Sequence, residues 1–459
     1  MLLQLNDHTT KSMRVPVEND PDVRKAIEWL YDSSTNSDAL HARINIARDH
    51  YLENARFENH KWQDPRSLTL PKDPIASYLA QAEAFLGDRN AYDARIGPRV
   101  LPFLKSIGQG LELLQQMPGA SERAQRLISP NNDHPDSGLF EFATAVRYAR
   151  EIELEVEFIP EGHQRMADIR ASNSDGEFHI ECKRLRSSAY EEREVARVRT
   201  IFAEFDHIIA AKKLSVYVDV VFLQEIESIP PDYLAQRVGQ VAASRIFVWD
   251  CYPWRDEYAE GVVRLANVDA VHRDTRDSDL IVGPKMARLL SGQVVSEGSY
   301  FLAVGGKVSK SDPRYLDTMS YGSVLTWNCI ALASIEARGR YIRSKLADID
   351  RQLEHAPVGI AHIGMDAERD TKAADLRREK NREAIVGFQA KSALVDIELH
   401  YFMPRVSENH SWMIDETVDS FSTSPGPALR VARIIVGNET ELTDRKKPAW
   451  YQPPPSHET

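Results

Sequence analysis

The sequence predicts an α/β protein in which an all-helical N-terminal region precedes a mixed β-sheet flanked by helices. Between residues 20 and 128, apolar residues recur at helical spacing, as at Leu101, Leu104 and Ile107. After a turn-rich stretch at 131–138, the pattern changes to the order helix, three strands, helix, strand. These two observations define the fold class.

Length and composition exclude several classes of protein. The chain has 459 residues, which predicts two or three domains, and a formal net charge of −12 argues against coating nucleic acid through bulk positive charge. Three widely spaced cysteines (Cys182, Cys251 and Cys329) favour neither a disulfide framework nor a zinc ribbon. Neither a signal peptide nor an apolar run of membrane-spanning length is present in the sequence. We therefore expect a soluble cytoplasmic protein without a membrane partner.

Four regions follow from the changes in pattern. They are a helical N-terminal region at 1–130, opening with a loose polar lead-in, a sheet-forming core at 131–225, an α/β region at 226–423, and a Pro-rich tail at 424–459 that is expected to be extended or disordered. The third region is either an extension of the core or a second domain. It is expected to contain strands near 245–249, 300–304, 359–364 and 394–402, and long helices at 324–355 and 371–390.

Local sequence patterns indicate the order of helices and strands in the core. The sequence predicts a helix at 139–150, strands at 153–160, 167–171, 178–183 and 214–223, and a helix after 188. Asn173-Ser174-Asp175-Gly176 has the composition of a hairpin turn. Ser188 and Glu191 have the spacing of a capping box, which marks the start of the second helix. The last strand is almost wholly apolar, as expected for a strand covered on both faces.

The third strand carries the residues of chemical interest. Alternation along a strand places His179, Glu181 and Lys183 on the face opposite the core-facing Cys182. A tight hairpin brings Asp168, on the preceding strand, beside Glu181. Two carboxylates and one ammonium group are therefore expected to share a small patch.

Such a patch suits a hard divalent cation. Adjacent carboxylates repel unless they are protonated or bridged by a cation, and Mg²⁺ (or Mn²⁺) prefers oxygen ligands. The carbonyl of Ile180 or Cys182 could add a ligand. Lys183 could orient the attacking water or neutralise charge that develops on a phosphorane. Glu141, on the preceding helix, could complete the site as an outer-shell or second-metal ligand.

The pattern of an acid, any residue and a lysine is weak by itself, since it occurs at Glu181–Lys183, Asp370–Lys372 and Asp444–Lys446. Only the first lies on an apolar alternating strand, after a hairpin turn and an upstream aspartate. The alternative is an exposed face on which Asp168, Glu181 and Lys183 form surface salt bridges.

Glu141, Asp168 and Glu181-Cys182-Lys183, in this order of elements, resemble the PD-(D/E)XK nuclease superfamily. The resemblance covers about residues 138–223 and implies a restriction-endonuclease-like fold for the 131–225 core. It implies metal-dependent phosphodiester hydrolysis, with Asp168 and Glu181 as metal ligands, Lys183 as the catalytic lysine and Glu141 as the helix acid. Ala167 stands where the superfamily name has proline.

The leading hypothesis is a Mg²⁺-dependent nuclease that acts on nucleic acid, with DNA favoured over RNA, in phage defence, restriction or repair. His179, Arg184 and Arg186 are candidate nucleic-acid contacts, although each has an ordinary surface role as the alternative. The competing hypothesis is an inactive nuclease-like fold that binds nucleic acid or a partner. The helical N-terminal region is a candidate surface for a homodimer or a partner protein.

Overall fold

Two mixed β-sheets and the helices packed on them form the part of the chain that a computed structural model describes. The described residues are 4–15, 20–54, 73–87, 91–92, 96–151, 154–160, 166–174, 176–185, 188–243, 251–274, 280–281, 284–293, 300–310, 315–367, 371–406, 412–422, 434–436, 443–445 and 447–451. The predicted α/β class is confirmed.

The helices and strands are numbered in chain order. The described helices are α1 (Pro21–Asp32), α2 (Ser37–Asn54), α3 (Pro74–Gly87), α4 (Gly97–Gln109), α5 (Leu111–Gln116), α6 (Ala120–Leu127), α7 (Pro135–Ala149), α8 (Ala189–Lys212), α9 (Tyr233–Ala243), α10 (Val268–Asp274), α11 (Pro284–Ser291), α12 (Leu332–Gln352) and α13 (Thr371–Val386). The described strands are β1 (Gln4–Val15), β2 (Glu155–Phe158), β3 (Ile169–Asn173), β4 (Gly176–Arg184), β5 (Val216–Phe222), β6 (Tyr252–Arg255), β7 (Ala259–Leu265), β8 (Leu280–Ile281), β9 (Tyr300–Val308), β10 (Tyr315–Cys329), β11 (Gly359–Asp366), β12 (Leu394–Val406), β13 (Trp412–Ser422) and β14 (Thr443–Arg445).

The first sheet has the strand order β14-β1-β13-β12-β11-β4-β3-β2. At one end β2, β3 and β4 form an antiparallel meander. In the middle β4, β11 and β12 run parallel, and β13 and β1 follow antiparallel. Helices α4 and α7 pack on one face of this sheet, while α12 and α13 pack on the other.

The hairpin between β3 and β4 has the predicted turn position. Asn173 pairs with Gly176 at the end of the antiparallel ladder. Gly176 has a φ of +150°, a conformation that favours glycine because any Cβ would be strained. Asp175 lies outside the described residues. The ladder aligns Ile169 with Ile180, so the residue before β3 lies beside the middle of β4.

The neighbour of β4 differs from the prediction. The sequence assigns the strand at 214–223 to the core, but β5 lies in the second sheet, between β7 and β10. The position beside β4 is taken instead by β11, which enters the sheet after helix α12. The second sheet, formed by β5 to β10, therefore interrupts the first in sequence. The region at 226–423 contains both part of this second sheet and an extension of the first.

One predicted helix begins too early. The sequence predicts helix throughout 324–355, but its first residues complete β10, and α12 begins only at Leu332. Val324 and Leu325 are fully buried and pair with β5 on one side and β9 on the other. A short apolar run has no period that separates a buried strand from a buried helix, which explains the error.

Both chain ends contribute to the first sheet. The predicted polar lead-in is strand β1, which pairs antiparallel with β13 and β14, so the region 1–130 is not all-helical. The tail at 424–459 was expected to be extended or disordered, yet its described residues pack against the sheet. Ala449 and Trp450 are buried, and the Trp450 indole donates to Asp375 at 2.8 Å. The predicted strand at 245–249 lies outside the described residues.

None of the described helices is long and apolar enough to cross a lipid bilayer.

Candidate active site

Asp168 is held beside β4 by main-chain hydrogen bonds. It lies immediately before β3, and its backbone N–H donates to the Ile180 carbonyl at 3.1 Å. Its carboxylate Oδ2 accepts a hydrogen bond from the backbone N–H of Cys182 at 2.9 Å. The hairpin therefore holds Asp168 next to Ile180 and Cys182, the two residues that flank Glu181 on β4. The sequence predicts this position for Asp168.

Glu181 and Lys183 project from the same face of β4. The Glu181 side chain is fully buried, while the Lys183 side chain is 27% exposed. The Lys183 ammonium contacts Glu181 Oε1 as an ion pair. Apart from this ion pair, no described residue donates a hydrogen bond to the Glu181 carboxylate, and its Oε2 has no partner among the described residues. A buried carboxylate with an unused oxygen is costly for a fold.

Glu141 joins the cluster from helix α7. It lies between the buried residues Phe140 and Phe142, which pack the helix on the sheet. Its Oε2 accepts a hydrogen bond from Arg123 Nη1 at 2.9 Å. Nη2 of the same arginine lies 3.7 Å from Asp168 Oδ1.

Sequence reasoning missed Arg123. It lies on α6, within the region assigned to scaffold or partner binding, and no local pattern connects it with the acids. Only the folded chain brings it to Glu141 and Asp168.

Burial and charge interactions shift the pKa values of three of the four predicted residues, Glu141, Glu181 and Lys183. Burial raises the pKa of Glu181 well above its ordinary value, the charge of Asp168 adds to this, and Lys183 opposes it. Burial, followed by the charge of Asp168, raises the pKa of Glu141 to about 8. Burial favours a lower pKa for Lys183, but Glu181 and Asp168 outweigh it, so the pKa is raised. Lys183 is therefore a permanent cation at neutral pH.

A cavity of about 710 Å³ lies beside three of the four predicted residues, whereas the fully buried Glu181 is not among the residues that line it. Glu141, Asp168 and Lys183 line it together with Arg123 and Arg126. The loop between α6 and α7 and the end of α12 supply the remaining walls, through residues that include Ser129, Asn131, Asn132, Asp133, His134 and Gln352. The space is large enough for a nucleotide-sized group.

Two carboxylates could hold a divalent cation here. Among the described residues, no three His, Cys, Asp or Glu side chains converge as a complete set of metal ligands. Mg²⁺ does not require such a set, since it keeps several waters and usually takes one or two carboxylates. Glu181 Oε2 is a buried oxygen without a described hydrogen-bond partner, and Asp168 reaches the cavity wall. This donor chemistry fits Mg²⁺ or Mn²⁺.

The structure places two of the three candidate nucleic-acid contacts, His179 and Arg184, away from the cavity. His179 pairs with Glu177 at 2.7 Å and is not among the cavity-lining residues. The Arg184 side chain is only 5% exposed and forms an ion pair with Asp366. Arg184 is thus a buried structural residue rather than a phosphate contact. Arg186 lies outside the described residues.

A second cluster of polar side chains, which the sequence did not indicate, lies in the core of the first sheet. Tyr148 contacts His362 at 2.9 Å, His362 contacts His400 at 2.8 Å, and His400 contacts Glu416 at 2.7 Å. All four residues are buried. Burial lowers the pKa of His400 to about 3 and raises that of Glu416 to about 8. The residues come from three strands and a helix far apart in sequence, so no local motif could reveal them.

No match to this chain was found among family models, curated proteins or solved structures.

Proposed function

We propose that the protein is a divalent-metal-dependent nuclease that hydrolyses phosphodiester bonds in DNA. One observation carries the proposal: the fully buried carboxylate of Glu181 pairs with Lys183, and Lys183 lines a cavity together with Asp168 and Glu141. A purely structural ion pair would be expected to satisfy its buried oxygens. The exposed salt-bridging face considered from sequence does not fit a glutamate with no exposed surface.

The order of elements around this site supports the same proposal. Helix α7 is followed by the antiparallel strands β2, β3 and β4. After α8 and the second sheet, α12 leads into β11, which pairs parallel with β4. This is the helix, three strands, helix, strand order implied by the resemblance to PD-(D/E)XK nucleases. It is obtained when α12 and β11 take the places predicted for α8 and β5. The second sheet is then an insertion within a restriction-endonuclease-like fold.

Each residue has a role that its environment permits. Asp168 and Glu181 would hold Mg²⁺, and the Cys182 carbonyl remains a candidate additional ligand. A bound Mg²⁺ supplies a polarised phosphoryl oxygen and a bound water of lowered pKa. Lys183, kept charged by the two carboxylates, orients the attacking water or neutralises negative charge on the phosphorane. Glu141 can hold a proton near neutral pH because its pKa is raised to about 8.

The charge of the cavity wall is compatible with a polyanionic substrate. Although the whole chain carries a net charge of −12, three cations (Arg123, Arg126 and Lys183) line this cavity beside three acids (Asp133, Glu141 and Asp168). Local cations of this kind can bind a phosphate group on an otherwise acidic protein.

Cleavage assays with matched variants test the proposal. Purified protein is incubated with plasmid and linear DNA in Mg²⁺ or EDTA, beside Asp168→Ala, Lys183→Ala and Lys372→Ala. Lys372 belongs to another acid-x-Lys pattern, on α13, and serves as the control. We expect Mg²⁺-dependent cleavage by wild type and Lys372→Ala, and a loss of about 100-fold or more in the other two. Equal cleavage by all four proteins would refute the assignment.

A second candidate function is binding without cleavage. It is favoured by the guanidinium of Arg123, which already neutralises acids of the site. In that case, DNA would bind equally with Mg²⁺ or EDTA, and would be recovered uncut. Gel-shift and cleavage assays on the same samples separate the two functions.

A further inference from the structure

Packing at the start of helix α6 fixes the position of Arg123. Helix α6 begins after Gly119, whose φ of +80° requires glycine-like freedom. A Cβ at this position would lie 2.8 Å from the Phe158 carbonyl oxygen, so the helix start packs directly on β2. The Arg123 guanidinium lies over the Phe158 ring, 5.6 Å from its centroid. Nη2 donates weakly, at 3.4 Å, to the carbonyls of Ile159 and Asp168.

The guanidinium bridges two acids of the site. Its Nη1 lies 2.9 Å from Glu141 Oε2, and its Nη2 lies 3.7 Å from Asp168 Oδ1. The Arg123 side chain is only 10% exposed, so solvent screens these contacts weakly. Arginine keeps its charge at every accessible pH. A cation therefore stands permanently beside the carboxylate that the proposed metal would use.

We infer that Arg123 is a built-in counterion of the acid cluster, which a divalent cation can replace. The inference rests on the proposed metal site. Three acids (Glu141, Asp168 and Glu181) face two cations, Arg123 and Lys183, so positive charge already offsets the acids of the cluster without metal. A divalent ion that approaches Asp168 is repelled by the guanidinium, which weakens its binding. The same guanidinium offsets the carboxylates when metal is absent, so the site remains assembled without metal.

The inference changes the role of the N-terminal region. Arg123 comes from α6, within residues 1–130, so this region supplies a charged group of the site. It is then part of the functional unit, rather than a removable module that only recruits a partner.

Calorimetric titration of the full-length chain with Mn²⁺ tests the inference. The variants are Arg123→Gln, Arg123→Lys, Arg126→Gln and Asp168→Asn, with near-ultraviolet circular dichroism as a check on folding. Arg126 lies on the same helix and lines the same cavity, so Arg126→Gln is the control for loss of one unit of charge. We expect Arg123→Gln to bind Mn²⁺ about tenfold more tightly than wild type, equivalent to about 1.4 kcal/mol. Arg123→Lys and Arg126→Gln should change affinity much less.

The outcomes separate this inference from the proposed function. Unchanged or weaker binding by Arg123→Gln, while wild type binds Mn²⁺ and Asp168→Asn does not, overturns the counterion role alone. Absence of Mn²⁺ binding in wild type and in Arg123→Gln overturns both. If Arg123→Gln is unfolded, saturating Mn²⁺ should restore its fold. Failure to do so would show that a divalent cation cannot replace the guanidinium.

Discussion

Replacing Lys183 by methionine removes the cation that contacts the fully buried carboxylate of Glu181. Because no described residue gives that carboxylate a well-aligned hydrogen bond, the variant leaves an uncompensated charge in the fold. Removing one partner of a buried ion pair typically costs about 3–5 kcal/mol. Lys183 is 27% exposed, so solvent screening places the expected loss near the lower limit, at about 3 kcal/mol.

The loss should depend on pH in a defined direction. The pKa of Glu181 is raised by burial, so the folded chain binds this proton more tightly than the unfolded chain. Below the ordinary carboxyl pKa, Glu181 is protonated in both states and Lys183 contributes little. Because the pKa is raised in wild type as well, both proteins lose stability as pH rises above the ordinary carboxyl pKa. Loss of Lys183 raises the pKa of folded Glu181 further, so the additional penalty of the variant grows above the folded pKa of wild type, by up to about 1.4 kcal/mol per pH unit.

Urea unfolding at pH 5.5 and 8.5 measures this effect. The set of proteins is wild type, Lys183→Met, Glu181→Gln and the double variant. Glu181→Gln removes the buried charge and should lie within about 1 kcal/mol of wild type, and the double variant should recover most of the stability lost in Lys183→Met. The reasoning is refuted if Lys183→Met loses the same free energy at both pH values, or if the two substitutions are additive.

Three further predictions concern the fold that supports the site. Because burial raises the pKa of Glu416 to about 8, the contribution of Glu416 to the free energy of folding falls as pH rises from about 4.5 to about 8. Glu416→Gln should therefore make the stability measured by urea unfolding depend less steeply on pH. An unchanged slope would contradict this prediction. Gly364→Ala places a Cβ 2.9 Å from the Phe140 ring, so thermal unfolding should show a loss of about 1–3 kcal/mol from overpacking. Ser188→Ala removes the oxygen that accepts from the Glu191 backbone at 3.2 Å, and should cost about 1 kcal/mol in chemical unfolding, whereas Ser188→Thr should retain most of the stability.

Local features of the core could be predicted from sequence because their signals are local. The Asn173 to Gly176 turn, the alternation of β4 and the Ser188 capping box all depend on residues a few positions apart. These signals place Asp168 beside β4 and give Glu181 and Lys183 a common face. Asp168 was predicted to lie on a strand, and the structure places it immediately before β3.

Pairings between distant segments could not be predicted in the same way. Strand β11 pairs with β4 only after the whole second sheet has intervened in sequence, whereas β5 is the next strand after β4, separated from it by α8, and has an equally apolar pattern. Strand β1 pairs with β13 from opposite ends of the chain. Arg123 reaches Glu141 through helix packing, so its role could be read only from the folded chain.

The most direct test of the central claim is the anomalous difference density of crystals soaked in Mn²⁺. We expect a peak within bonding distance of the carboxylates of Asp168 and Glu181, together with loss of that peak in Asp168→Asn crystals. A saturating soak that leaves no peak at these carboxylates, with Asp168 still beside Arg123, would contradict the proposed metal site.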